Sequence, residues 1–198
     1  QLAPDRIALY SFARVPWIKP AQRLFKDSDL PEGPDKRELY EIARAILVEG
    51  GYVEIGMDHF ALPHDSLNAS RLDGSLHRNF MGYTEFRTEV MIGLGMSAIS
   101  ESPTCFHQNE KTADMYEARL KNGELPTFRG HLLTDEDRRL RQQILEFMTR
   151  LHVKLEPEQI EDARAFLAPM IGDGIVRLVG SDLYLEEAGK PFLRNATV

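Results

Sequence analysis

Apolar and polar positions along the chain follow two periods, and each predicts a kind of element. Residues 6–12 (RIALYSF) are short, apolar and rich in β-formers, which predicts a buried strand. A loop broken by Pro16 and Pro20 follows, with Trp17 as an anchor or a pocket wall. Leu39, Ile42, Ala43, Ile46 and Leu47 then fall on one helical face. Asp35, with Glu38 three residues on, forms a capping pattern at its start, and Gly50-Gly51 offers a left-handed exit at its end. Residues 52–57 (YVEIGM) read as a second strand. Strand, helix, strand with a crossover of this length predicts parallel strands with the helix on an outer face. In such sheets and barrels, chemistry gathers in loops at the carboxyl ends of strands. Residues 11–14 and 57–60 occupy those positions here.

Further on, residues 64–73 predict a short helix and 74–84 a loop. Residues 88–100 are apolar and glycine-spaced, a strand or strand–turn segment in which Gly93 and Gly95 permit a close approach. Residues 109–121 read as helical. The pattern changes near residue 126. Thr134 and Asp137 form a capping pair before a stripe of Leu140, Ile144, Phe147, Met148 and Leu151. Pro157 suits the first turn of another helix, with Ile160, Ala163, Phe166 and Leu167 facing inward. Residues 175–179 and 183–185 flank Gly180-Ser181-Asp182 as a hairpin. Two helices and a hairpin predict a small winged-helix-like domain. The chain therefore reads as α/β, with one division at residues 1–125 and another at 126–198.

Charge and cysteine content narrow the possibilities. A net charge of -7 disfavours a general nucleic-acid binder, and residues 159–170 carry Glu161 and Asp162 against Arg164 alone. One cysteine, Cys105, excludes an intrachain disulfide. It also excludes a cluster held by three thiolates of this chain alone. His59 and His64 have poor metal-ligand spacing with Pro63 between them, so no metal site is expected. No apolar run reaches membrane-spanning length and no signal peptide opens the chain. A cytoplasmic monomer without membrane or nucleic-acid partners is expected. The chain opens on Gln1 with a strand almost at once, as expected of part of a longer polypeptide.

Several side chains have chemistry suited to a site. Asp58 and His59 are adjacent just after a strand, where Asp58 orients His59 or holds a turn. His77 and Arg78 can offer charge-assisted contacts to carboxylates, or belong to a solvated loop. Arg14 follows the first strand and carries similar weight.

With these residues in view, the chain resembles the oxygen-independent coproporphyrinogen III oxidases, radical S-adenosylmethionine enzymes of haem biosynthesis. The likeness runs through ARVP (13–16), KPAQR (19–23), KDSDLP (26–31), IGMDHFA (55–61), LHRNF (76–80) and GYT (82–84). It continues through Leu94-Gly95, SAIS (97–100), Gln108-Asn109 and, more weakly, GKPFLRN (189–195). The resemblance implies the last part of a partial (β/α) barrel followed by the small domain. It also implies that a preceding region carries a C-x₃-C-x₂-C loop with a [4Fe–4S] cluster and S-adenosylmethionine.

The implied reaction of the full enzyme is oxidative decarboxylation. Two propionates of coproporphyrinogen III become vinyl groups, giving protoporphyrinogen IX, with an electron donor as partner. The portion present here is expected to be inactive alone, with no catalytic residue of its own. For such a substrate, His59, Arg78, His77, Arg14 and Asp58 are the candidate contacts, by their own chemistry. The resemblance places Ala13, Phe80, Met81 and Ile99 beside a second S-adenosylmethionine, with Tyr83, Gln108 and Asn109 lining the cavity. Met81 stands where the family pattern carries Gln, and its thioether lacks the amide's donors and carbonyl. A weakened second cofactor site is therefore expected. The alternatives are a related radical enzyme acting on another tetrapyrrole, and a non-catalytic tetrapyrrole-binding or structural domain.

Overall fold

The computed structural model describes residues 2–197, which cluster into two compact units meeting at Ser75 and Leu76. In the first unit, β1 (Arg6–Ala8) precedes α1 (Gly33–Glu49), β2 (Val53–Gly56), β3 (His59–Ala61) and α2 (Ser66–Asp73). The sheet order is β1-β3-β2, and β3 is antiparallel to both neighbours. The expected parallel pairing is therefore corrected. β1 and β2 do point the same way, but β3 lies between them. Met57 and Asp58 form a two-residue reversal, Met57 taking a left-handed φ of 48°, and this turn places a third strand next to β2. Tyr40 donates to the Met57 carbonyl at 3.1 Å, which holds that conformation. Burial and then Glu54 push the Tyr40 phenol above its ordinary pKa, so it stays a donor.

The strand expected over residues 6–12 shrinks to Arg6–Ala8 at the sheet edge, with Ile7 only half-buried. Trp17 is 72% exposed. Asp35 does not cap α1. The helix begins upstream at Gly33, with Pro34 in its first turn and no side-chain cap, so Asp35 is already inside that turn. The Gly50-Gly51 exit forms as expected, Gly51 at φ 88°. Ile55, Phe60, Ala61 and Leu67 are buried as the core of this unit.

The second unit opens with β4 (His77–Asn79) and β5 (Gly82–Thr84), a hairpin where the sequence predicts a loop. Next come β6 (Ile99–Glu101), β7 (Cys105–Asn109), α3 (Ala113–Lys121) and β8 (Thr127–Leu132), the strands forming one antiparallel sheet in that order. The helix expected from residue 109 starts only at Ala113, because Asn109 ends β7 and the Thr112 side chain caps the helix. The segment before β6 contributes one bridge, Met91 to Glu101. Gly93 makes the expected close approach: a Cβ there would lie 2.6 Å from the Ile99 carbonyl oxygen.

α4 (Asp135–Arg150), β9 (His152–Lys154), α5 (Ile160–Phe166), α6 (Ala168–Gly172), β10 (Val176–Val179) and β11 (Asp182–Leu185) complete the unit. The Thr134–Asp137 capping box forms as expected. The predicted hairpin is β10–β11, and β9 joins its other edge in the order β10-β11-β9. The single helix expected over 159–170 is broken at Leu167, with Pro169 in the first turn of α6. Phe147, Val153, Leu167, Val176, Leu183 and Leu193 form the buried core here. Although β8 lies beyond residue 126, it pairs with β7.

Candidate functional site

In the first unit, the loop after β1 carries Ala13 and Arg14. The Ala13 carbonyl accepts from the Gln22 amide at 3.3 Å. Arg14 reaches Asp27 at 2.9 Å and the Phe25 carbonyl at 2.8 Å, with its guanidinium over the Phe25 ring. That side chain therefore clamps the loop. Its Nε is nevertheless buried without a hydrogen bond.

Asp58 and His59 lie at the tight reversal between β2 and β3. Asp58 Oδ1 is 2.8 Å from His59 Nδ1. A carboxylate can only accept, so His59 donates from Nδ1 in this contact. The pair is a fixed proton-bearing group at the mouth of a turn.

In the second unit, the β4–β5 hairpin brings His77, Arg78, Phe80 and Met81 onto one short element. Phe80 and Met81 are the two turn residues, 63% and 78% exposed. Turns of this kind usually take Gly or Asn. Here the Asn79 side chain accepts from the Met81 N–H at 2.9 Å and closes the turn in their place. Tyr83 on β5 is buried and donates to the Met148 carbonyl of α4 at 2.8 Å. That bond ties the hairpin to the helix.

Arg78 is half-buried, with its guanidinium 5.5 Å over the Tyr83 ring. Its Nε is buried and makes no hydrogen bond, and among the described residues no carboxylate pairs with it. A buried donor without a partner is costly in a folded protein. Arg78 is thus a cation that no carboxylate among the described residues neutralises.

His77 differs. Burial first, and then the charges of Arg87 and Arg141, hold its imidazole below the usual pKa, against an opposing pull from Glu101. At neutral pH it is an uncharged hydrogen-bonding group. The sign for stability follows. With the folded value below the unfolded one, the unfolded chain takes up the proton first as pH falls. The stabilisation is present above the unfolded value near 6.5 and declines as pH drops through the window below it. We expect urea midpoints measured between about pH 7.5 and 5 to fall less steeply in a His77→Gln variant. Identical slopes would contradict this.

Ile99 opens β6 opposite Gln108. Gln108 donates to the Ser97 carbonyl and accepts from Arg129. Asn109 is buried and gives both amide hydrogens to the Gly93 and Gly95 carbonyls, at 3.0 and 2.9 Å. Its work is to hold the glycine segment. Arg141, which the sequence analysis does not single out, pairs with Glu101, donates to the Ser102 carbonyl and covers the Phe106 ring. No local pattern announces that role, since its partners lie some forty residues upstream.

Among the described residues, no three His, Cys, Asp or Glu side chains are grouped to hold a metal. Cys105, the one thiol, contacts Ser102. The residues present do not fit a cysteine-bound iron–sulfur cluster. No helix is long and apolar enough to cross a membrane among the described residues.

Comparison with known proteins gives a consistent picture. No family model matches the chain. It is 36% identical over 98% of its length to the oxygen-independent coproporphyrinogen III oxidase of Paracoccus denitrificans. It is 34% identical, again over 98%, to the enzyme of that name from Escherichia coli K12. A protein of the same name from Synechocystis is 35% identical. The chain spans about 45% of the length of each of these relatives. Among solved structures, a coproporphyrinogen III oxidase from Escherichia coli described as a radical SAM enzyme superposes with a TM-score of 0.91 at 32% identity. That match covers 98% of this chain and 47% of the solved one. It falls in the carboxyl-terminal half of that enzyme.

Proposed function

We propose, on the premise that this chain is a carboxyl-terminal portion of an oxygen-independent coproporphyrinogen III oxidase, that it supplies substrate-holding surfaces to an enzyme that oxidatively decarboxylates coproporphyrinogen III. The single observation that carries this reading is the likeness over 98% of the chain at a TM-score of 0.91. In this reading residues 1–125 belong to the barrel and 126–198 to the domain beyond it.

The substrate class is a flexible macrocycle with four carboxylates, and Arg78 suits it. A half-buried guanidinium with an unmatched Nε gains more from a carboxylate than a solvated arginine does, because its desolvation has already occurred in folding. His77, held neutral, donates or accepts without adding charge. In the first unit, the Asp58–His59 pair presents an imidazole oriented by the carboxylate to a propionate. Arg14 shapes its loop through Asp27 and Phe25 and keeps one donor, Nε, in reserve. S-adenosylmethionine, when bound to the whole enzyme, supplies the radical that removes a propionate hydrogen. The cluster ligands belong to polypeptide outside this chain, so the portion alone is inactive. We assign Phe80, Met81 and Ile99 of the second unit to the border of a second S-adenosylmethionine. An electron donor as partner, a monomeric enzyme and a cytoplasmic setting complete the proposal.

Met81 favours one second reading: a related radical enzyme with another tetrapyrrole as substrate. Incubation of the reconstituted parent enzyme with coproporphyrinogen III under reducing, anaerobic conditions decides between them. A product carrying two vinyl groups is expected. Substrate returned unchanged, with turnover on another tetrapyrrole, would replace the first reading by the second.

A further inference from the structure

In the second unit, α4 and α5 leave a groove of about 740 Å³. Phe147, Val153, Leu167 and Leu183 are its buried floor. Leu140, Ile144 and Phe166 rise along it and remain exposed to water. The periodicity that predicts burial for these three is therefore unfulfilled in this chain. The polar groups inside offer nothing to orient a small ligand, since the amides of Gln143 and Gln159 bond to each other at 2.8 and 2.9 Å.

The border carries one sign of charge. Glu136, Glu158 and Asp162 line it, with no Lys, Arg or His. Among the described residues, none of the three carboxylates has an ion-pair partner. Such a border repels nucleic-acid phosphates and anionic lipid headgroups alike. It attracts a cationic partner whose centre is apolar.

We propose that this groove seats the apolar face of a basic amphipathic helix from a partner protein. Anchors at helical spacing fill the space over Phe147 and Leu183, and flanking Lys or Arg side chains meet Glu136, Glu158 and Asp162. This is the helix-in-groove mode of recognition. It stands independently of the catalytic assignment.

The test is a fluorescence titration of the 198-residue chain with two labelled model helices about five turns long. One has a leucine face bordered by lysine, the other the same face bordered by glutamate. The lysine helix is expected to bind at least about tenfold more tightly and to weaken with salt. A Glu158→Lys/Asp162→Lys variant is expected to reverse that order. A Phe166→Ser variant is expected to weaken both helices. All three positions are exposed, so circular dichroism and urea midpoints should show intact folding. Equal affinity for the two helices would overturn the proposal. So would lysine-helix binding indifferent to the variants, which marks general attraction to an acidic chain. Self-association of the chain that Phe166→Ser abolishes would also overturn it, by making a second copy the occupant.

Discussion

An Arg78→Met variant of the parent enzyme is expected to lose about 2–4 kcal/mol of substrate binding, roughly 30- to 1,000-fold in kcat/KM, with most of the change in KM. The reasoning is asymmetric, and that makes the result diagnostic. Among the described residues, the Arg78 guanidinium has no carboxylate partner, and its buried Nε has no acceptor. Removing it therefore breaks no hydrogen bond that supports the fold, although its stacking over Tyr83 is lost. Methionine keeps the length and the apolar stem. Stability should hold or rise slightly while activity falls, the pattern of a residue placed for a ligand at some cost to the fold. An Arg78→Lys variant, which keeps the charge but loses Nε, should fall between the two. Unchanged kinetics in Arg78→Met would remove Arg78 from the site. A large drop in the urea midpoint with normal KM would make it a structural residue instead.

The largest effect on stability is expected at Phe147. Its side chain is 2% exposed. It is followed by Met148, whose carbonyl receives the Tyr83 hydroxyl. A Phe147→Ala change removes a buried ring and leaves a cavity that the α4 backbone cannot close, costing about 3–5 kcal/mol. That is a large share of the stability of an ordinary domain. Urea denaturation should show a much lower midpoint with little change in slope. Because α4 also supports the β4–β5 hairpin, amide exchange in that hairpin should quicken with it. A loss below about 1 kcal/mol would mean that the core repacks freely.

Much of the second unit is visible in its letters. The Thr134–Asp137 box and the stripe ending in Phe147 and Met148 specify α4, and the turn after Val179 specifies its hairpin. These features are local, so a window of a few residues contains their cause. The misses share a different origin. The β4–β5 hairpin turns on Phe80-Met81, where Asn79 does by side chain what glycine usually does by backbone freedom, and the two central positions carry no turn-forming letter. β3 is only three residues long and follows a left-handed methionine, so the pattern passes it by. Asp35 looks like a cap until Pro34 draws the helix start upstream.

The candidate residues were legible as letters but not as states. Nothing near His77 in sequence reveals that burial, aided by Arg87 and Arg141, removes its charge. Nothing near Arg78 reveals that no carboxylate among the described residues meets it. Asp58 and His59 are the exception: as neighbours in sequence they were expected to pair, and they do.

The hairpin tip carries one practical consequence. Among the described residues, Met81 is the methionine most open to water. Dissolved peroxide therefore meets it before the shielded thioether of Met148. Its sulfoxide would place an oxygen acceptor at the turn of the hairpin. Ageing in air thus rewrites the chemistry of this tip without touching the core.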